Sequence, residues 1–397
     1  MRAYLLLLLP LLLGAASLPQ LIENAKNTHS SLEAIEEKIS ALDAEYEASK
    51  NLANPELSLS MSDIQLQDAS NRSLEPMQYS SISIKQKLPY FGKRDAAANK
   101  VSAQKNRTLL TLEEAKVKLI ETLKITAYSL WQKEEETKIT DAYIELMRQT
   151  ISINAAYGSS DTKYNMALMA AELTLSQLKI KKFKLQSAQV ALYKRLSYLS
   201  GMDVDSLELS MPVHEPKSIE YYQNALHENS SYKVKEATTL QAKAELKIKE
   251  LAAYIDPSLQ VGYYRRESFE DYVSVGVAFS LPIYGTEKAQ EEAAQKLLLS
   301  SQKEAADFKN LLNAELADVY ARLQNAYKEY TIIKDDALPQ LEHMLRLANA
   351  SIQSGSELFV SLELLQKRLS LEEQNIDAVA NYHKTLASLE AIIGEIQ

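Results

Sequence analysis

The sequence contains no cysteine, and glycine and proline number only 9 and 10 in 397 residues. Without cysteine no disulfide can staple the fold, so stability has to come from burial, helix pairing or association between chains. Scarce glycine and proline leave few places for a helix to break, which points to long uninterrupted helices. After residue 18 no run of about 18 apolar residues occurs, so no transmembrane helix is expected and only β-strands could cross a bilayer. A basic surplus is also missing: 44 Lys and Arg stand against 53 Asp and Glu, a net charge of −9. A polyanion partner needs a basic stripe, so nucleic acid is excluded. Tryptophan and phenylalanine are few, at 1 and 6, but there are 22 tyrosines. Tyrosine sets an apolar ring beside a polar tip, a combination suited to a membrane interface.

Residues 1–17 read as a secretory signal peptide, with an apolar core from Leu5 to Leu13 broken only by Pro10 and small residues at Ala15 and Ser17. The mature chain is expected to start near Leu18. With no cysteine after the core, a lipid anchor at that point is excluded.

Catalytic motifs are absent as well. There is no glycine-rich phosphate loop and no Gly-x-Ser-x-Gly elbow, so no enzyme and no cofactor is expected. The five histidines, His29, His214, His227, His343 and His383, show no i, i+4 pairing, so no metal site is expected.

The sequence repeats its own layout. Asn54-Pro55 precedes an alternating segment, and a second one runs into Leu88-Pro89-Tyr90-Phe91-Gly92. Asp256-Pro257 and Leu281-Pro282-Ile283-Tyr284-Gly285 recur in the same order in the second half. An ancestral duplication leaves this pattern, giving one unit over 18–210 and another over 211–397. Each unit reads as helix, two strands, long helix, tip, helix, with a hinge near Gly201 to Pro216.

Helices are expected over 28–52, 93–156, 162–200, 217–254, 287–353 and 357–394, interrupted only at Pro339. Leu109, Leu112, Ala115, Leu119, Leu123 and Ala127 carry the three- and four-residue steps of a packed stripe. A 64-residue helix spans roughly 95 Å, longer than a globular core, so such helices must pair as coiled coils. The Glu134-Glu135-Glu136 run reads as a solvated helix face. Tips are expected at Gly158-Ser159 and Gly355-Ser356, where glycine permits the positive φ that ends a helix.

Four segments alternate with period two. Leu57, Leu59 and Met61 alternate with serines; Ile82 and Ile84 lie between Ser81, Ser83 and Lys85; Leu259, Val261 and Tyr263 alternate with Gln260, Gly262 and Tyr264; Val273, Val275, Val277, Phe279 and Leu281 alternate with small residues. One such strand alone is more often a half-buried strand of a soluble sheet. Four of them, with no globular domain to pack on, form a sheet whose unpaired edges a bilayer cannot satisfy. Partner chains must close it. Pro89 and Pro282 with Gly92 and Gly285 suit the abrupt passage from strand to helix.

The run Asn54-Pro55, strands, Leu88-Pro89-Tyr90-Phe91-Gly92-Lys93-Arg94, then Ala96 to Ala98, with its doubled counterpart, resembles the TolC family of outer-membrane efflux proteins. Phe91-Gly92-Lys93-Arg94 resembles its heavy-metal branch. The resemblance implies a mainly α chain with a small membrane β part, a homotrimer closing a 12-stranded β-barrel, and a periplasmic helical tunnel. It also implies docking to a periplasmic adaptor and an RND-type inner-membrane exporter. In that family carboxylates just past the tip glycine line the entrance; here Ser361 and Leu364 fall at those places, so Asp161, Glu357 and Glu363, with Ser361, are expected to line it, and Gly158, Ser159, Gly355 and Ser356 to meet the adaptor. Two alternatives stay open: a type I protein-secretion duct, and a soluble periplasmic coiled-coil adaptor without a pore.

Overall fold

The computed structural model describes residues 16–156, 162–350 and 355–395. Most of the expected leader lies outside them. Ala16–Ser17 (β1), however, pairs in parallel with Leu207–Glu208 (β4), so the cleavage expected after Ser17 would remove this pairing. Among the described residues no helix is long and apolar enough to cross a membrane.

In chain order the principal helices are α1 (Leu18–Thr28), α2 (Ser30–Ser49), α3 (Lys93–Ala156), α4 (Thr162–Ser200), α5 (Ile219–Ala225), α6 (Ser230–Ala252), α7 (Thr286–Thr331), α8 (Leu338–Ala350) and α9 (Gly355–Ile392). Four strands form the main sheet: β2 (Glu56–Ser62), β3 (Tyr79–Lys87), β5 (Pro257–Arg265) and β6 (Tyr272–Phe279). Contacts divide the chain into two compact units, each drawn from both halves: Met1–Glu33 with Glu113–Ser230 and Asn310–Gln397, and Ala34–Leu112 with Ser231–Lys309.

The second of these holds the sheet, in the order β2-β3-β5-β6, with every main-sheet pair antiparallel. Its helical segments are joined by Lys100–Glu245 at 2.6 Å and by Arg107 donating to Gln241 at 3.1 Å. Ala96, Ala98, Ala237 and Ala294 are buried along these helices.

In the other unit, α3 past residue 113, α4 and α9 pack side by side. Tyr143, Ile144 and Met147 of α3 meet Ala167, Ala171 and Leu178 of α4 and Leu362 of α9. Leu123, Leu130, Leu196 and Leu389 are fully buried, and burying one such side chain contributes about 1.5–3 kcal/mol.

Of the expected α3 stripe, Leu112, Leu119, Leu123 and Ala127 are buried, whereas Leu109 is exposed. Glu134-Glu135-Glu136 is not a solvated face. Glu136 is buried and accepts from Lys133 at 2.6 Å on the side where Gln132 donates to Asp377 of α9, and Glu134 accepts from the Tyr193 hydroxyl of α4.

Other departures are tertiary in origin. The helix expected over 28–52 is two helices and begins at Leu18, with His29 between them. The helix expected over 217–254 breaks at 226–229, where buried Asn229 donates to the Ile392 carbonyl at 2.8 Å. Gly394, at φ +71°, fits against that break: a Cβ there would lie 2.6 Å from the Glu228 carbonyl oxygen. Between α7 and α8, Ile332–Ala337 winds as a π-helix. Pro339 follows, lacking an N–H and crowding the carbonyl four residues earlier, so the helix widens just upstream of it.

Candidate functional site

The main sheet has two chemically opposite faces, and its register fixes them. Leu57 pairs with Ile84, Ile84 with Val261, and Val261 with Val275, so the apolar members of all four strands share one side. Twelve apolar or tyrosine side chains of that side, from Leu57 on β2 to Phe279 on β6, are exposed. A contiguous exposed apolar surface of this kind marks a protein- or membrane-facing site. On the reverse lie Ser58, Ser60, Ser81, Ser83, Gly262, Ser274 and Gly276, with Ser60 and Ser81 hydrogen-bonded at 2.7 Å. Among the described residues β2 pairs only with β3, and β6 only with β5, so both edges are open.

The β2–β3 and β5–β6 ladders have matching registers. Pro55 corresponds to Pro257 and Gly92 to Gly285, which matches β2 with β5 and β3 with β6. Under that correspondence the pair Leu57–Ile84 becomes Leu259–Val277, and Leu59–Ile82 becomes Val261–Val275; both are observed.

The landmark motifs meet in space. The Leu88 N–H donates to the Pro257 carbonyl at 2.8 Å, and the Tyr90 N–H donates to Asp256 Oδ1 at 2.8 Å. Lys93 Nζ reaches both Asp256, at 2.7 Å, and the Tyr254 carbonyl, at 2.6 Å, while the Tyr90 and Tyr254 rings stack at 4.5 Å. Pro89 therefore sits where the ladder has to end. Gly92 and Gly285 adopt φ +88° and +74° with open space around them, so the backbone conformation, not crowding, demands glycine there. Their carbonyls accept the first helical hydrogen bonds of α3 and α7, from Ala96 at 2.9 Å and Ala289 at 3.1 Å.

Burial tends to raise the Asp256 pKa, but Lys93, the Tyr90 N–H and Lys87 outweigh it and hold the carboxyl below its ordinary value. A depressed pKa stabilises the fold fully above the unfolded value near 4, and that contribution is lost as pH falls through the lower folded value. Asp256→Ala strands Lys93 and the Tyr90 N–H. It is expected to cost about 2–3 kcal/mol, read as a lower denaturant midpoint at pH 7. The gap from wild type should narrow as the pH is taken below about 4; a constant gap would mean that Asp256 acts through packing alone.

The expected entrance residues fall partly outside the described residues. Gly158, Ser159 and Asp161 lie outside the described residues. Gly355, Ser356 and Glu357 open α9. Ser361 is buried, and Glu363 is exposed and paired with Lys367 at 2.8 Å. Of the histidines, His383 is buried between Tyr128 and Tyr382, its Nε2 has no hydrogen-bond partner, and burial lowers its pKa. Among the described residues no three His, Cys, Asp or Glu converge as metal ligands. Sequence reasoning missed Asp256 with Lys93; the only signal was the Asp-Pro landmark itself.

No family model matches the chain, and no curated protein matches it in sequence. Its fold does match solved structures. A membrane protein from Pseudomonas aeruginosa superposes with a TM-score of 0.79 at 15% identity, over 95% of this chain and 92% of that one. The CmeC outer membrane channel of Campylobacter jejuni gives 0.78 at 13% identity, over 95% and 85%. CusC, whose structures are described in terms of folding and transmembrane channel formation, gives 0.77 at 16%, over 95% and 91%. At these identities the likeness establishes a shared fold.

Proposed function

We propose that the chain is the outer-membrane exit duct of a tripartite efflux pump, in which three copies pool their four strands into one 12-stranded barrel. The reading is carried by one observation: a sheet with an exposed apolar face, a small polar reverse and two open edges. Lipid suits the first face, water the second, and only closure satisfies the edges inside a bilayer. The shared fold with an outer membrane channel supports it. A soluble adaptor would leave that apolar face without a partner.

The helices carry the same message. Ala167, Ala171, Leu178 and Leu185 of α4 are buried, yet Met166, Met169, Leu173, Ile180, Phe183 and Val190 are exposed on a second stripe at three-, four- and seven-residue steps. A helix apolar on two sides needs a second neighbour, and a sibling copy supplies it in a ring of coiled coils. The duct works passively between a periplasmic adaptor with an RND-type exporter and the exterior. Catalysis has no part in it, and the two repeats descend from one duplicated unit.

At the helix tips, Asp161, Glu357 and Glu363 line the periplasmic entrance; buried Ser361 does not. Carboxylates ringing an aqueous constriction favour cations. The purified chain in planar bilayers is expected to form cation-selective pores blocked by divalent ions. Neutralising the three acids together should remove most of both properties. No pores at all would sink the duct; pores with unchanged selectivity would sink the entrance assignment alone.

A further inference from the structure

Three rings gather at the loop end of the polar face. Tyr264 stacks on Tyr272 with centroids 4.7 Å apart and planes 2° off parallel, and Tyr79 meets Tyr264 edge-on at 4.9 Å. Gly262 makes the arrangement possible: a Cβ there would fall 2.9 Å from a Tyr264 ring carbon, so the ring lies down along the strand over the glycine. Elsewhere this face presents mainly serine, glycine and alanine, with Lys85, Lys87 and Gln260 at the opposite end. The loop 63–78 beside the rings is a built structure. Gln78, 1% exposed, accepts from the Leu74 N–H at 2.9 Å and donates to the Asp63 and Asn71 carbonyls at 3.2 Å.

A cavity of about 570 Å³ opens next to the rings, between Asp63, Glu75, Tyr79, Arg266 and Tyr272. The chain already places a planar cation there, with the Arg266 guanidinium 5.2 Å from the Tyr272 centroid. Residues 63–78 and 265–271 together carry six carboxylates against three guanidiniums. Electron-rich ring faces, a cavity and surplus negative charge fit one chemistry, that of an organic cation.

We infer that Tyr79, Tyr264 and Tyr272 form a docking platform for flat or ammonium-bearing organic cations at the outer end of the water-facing surface. Its position at the exit rests on the barrel reading above; its binding chemistry does not. In a closed ring three such platforms would surround the mouth, so a departing cation meets aromatic faces only in the last stretch of its path. Holding there is weak, as passage requires.

The test uses the full chain in a maltoside detergent, with benzamidinium as probe and benzoate as its anionic counterpart, read by saturation-transfer NMR. Benzamidinium is expected to bind saturably and benzoate not to. Replacing all three tyrosines with leucine should weaken benzamidinium about tenfold, since each exposed ring face contributes roughly two- to fivefold. Phenylalanine at all three should stay within about twofold of wild type. If the triple leucine chain does not fold, Tyr272→Leu alone should weaken binding roughly threefold. Equal binding of benzoate, or undiminished binding by the leucine variants, overturns the proposal. Loss of the barrel reading would show separately, as absent pores, and leaves this measurement valid.

Discussion

Cysteines placed at Gly276 and Ser60 of one chain are expected to join three copies into a covalent ring, resolved as a trimer on non-reducing gels. The register follows from the internal repeat. Within the chain, β3 pairs with β5 so that Ser83 faces Gly262. Carried across the duplication, Ser83 becomes Gly276 and Gly262 becomes Ser60, so β6 of one copy should meet β2 of the next with Gly276 opposite Ser60. Directly opposed Cβ atoms in an antiparallel pair lie about 4.5–5.5 Å apart, within reach of a disulfide after small adjustment. A Cβ added at Gly276 meets nothing within 4 Å, and the chain has no other cysteine to confuse the product. Moving one partner to Met61 turns its side chain to the other face and should abolish the link. Linking at Met61 but not at Ser60 would show that the strands meet one residue out of register.

Val275→Arg is expected to remove the protein from the outer membrane almost completely. Val275 sits in the middle of the exposed β6 row, facing the side assigned to lipid. An arginine at the midplane costs about 2–4 kcal/mol per barrel strand, and a ring of three copies repeats that cost in each copy, reaching roughly 6–12 kcal/mol. Gly276→Arg, one residue along on the polar face where space is open, should leave assembly intact and only narrow the bore. Comparing trimer recovered from outer-membrane fractions separates the two; equal recovery of both variants would mean that the apolar face does not meet lipid.

The strands were legible because alternation depends on neighbouring residues alone, and Leu57 or Val275 declares its face without any partner being known. The long helices were legible for a similar reason, since breakers are so rare. The Asp256–Lys93 pin was not, because its members stand 163 residues apart and each is an ordinary surface type by itself. Nor was the break at 226–229, which exists to receive the end of α9 through Asn229 and Gly394. The tyrosines were read as interface residues, yet Tyr79, Tyr264 and Tyr272 lie on the polar side. The strand period gives Tyr264 and Tyr272 that side; Tyr79 precedes the segment read as alternating, and the stacking over Gly262 needs the sheet register.

The wide turn at Ile332–Ala337 keeps a seam in step. Buried positions run Leu312, Leu316, Val319, Leu323, Ala326 and Ile333, then resume at Leu341 and Leu345. From Ile333 to Leu341 is eight places where an unbroken heptad would allow seven, and an α-helix carrying one surplus residue would swing every later side chain about 100° around its axis. The π-turn absorbs that surplus, so α8 presents Leu341 and Leu345 to Leu364 as though no residue had been added.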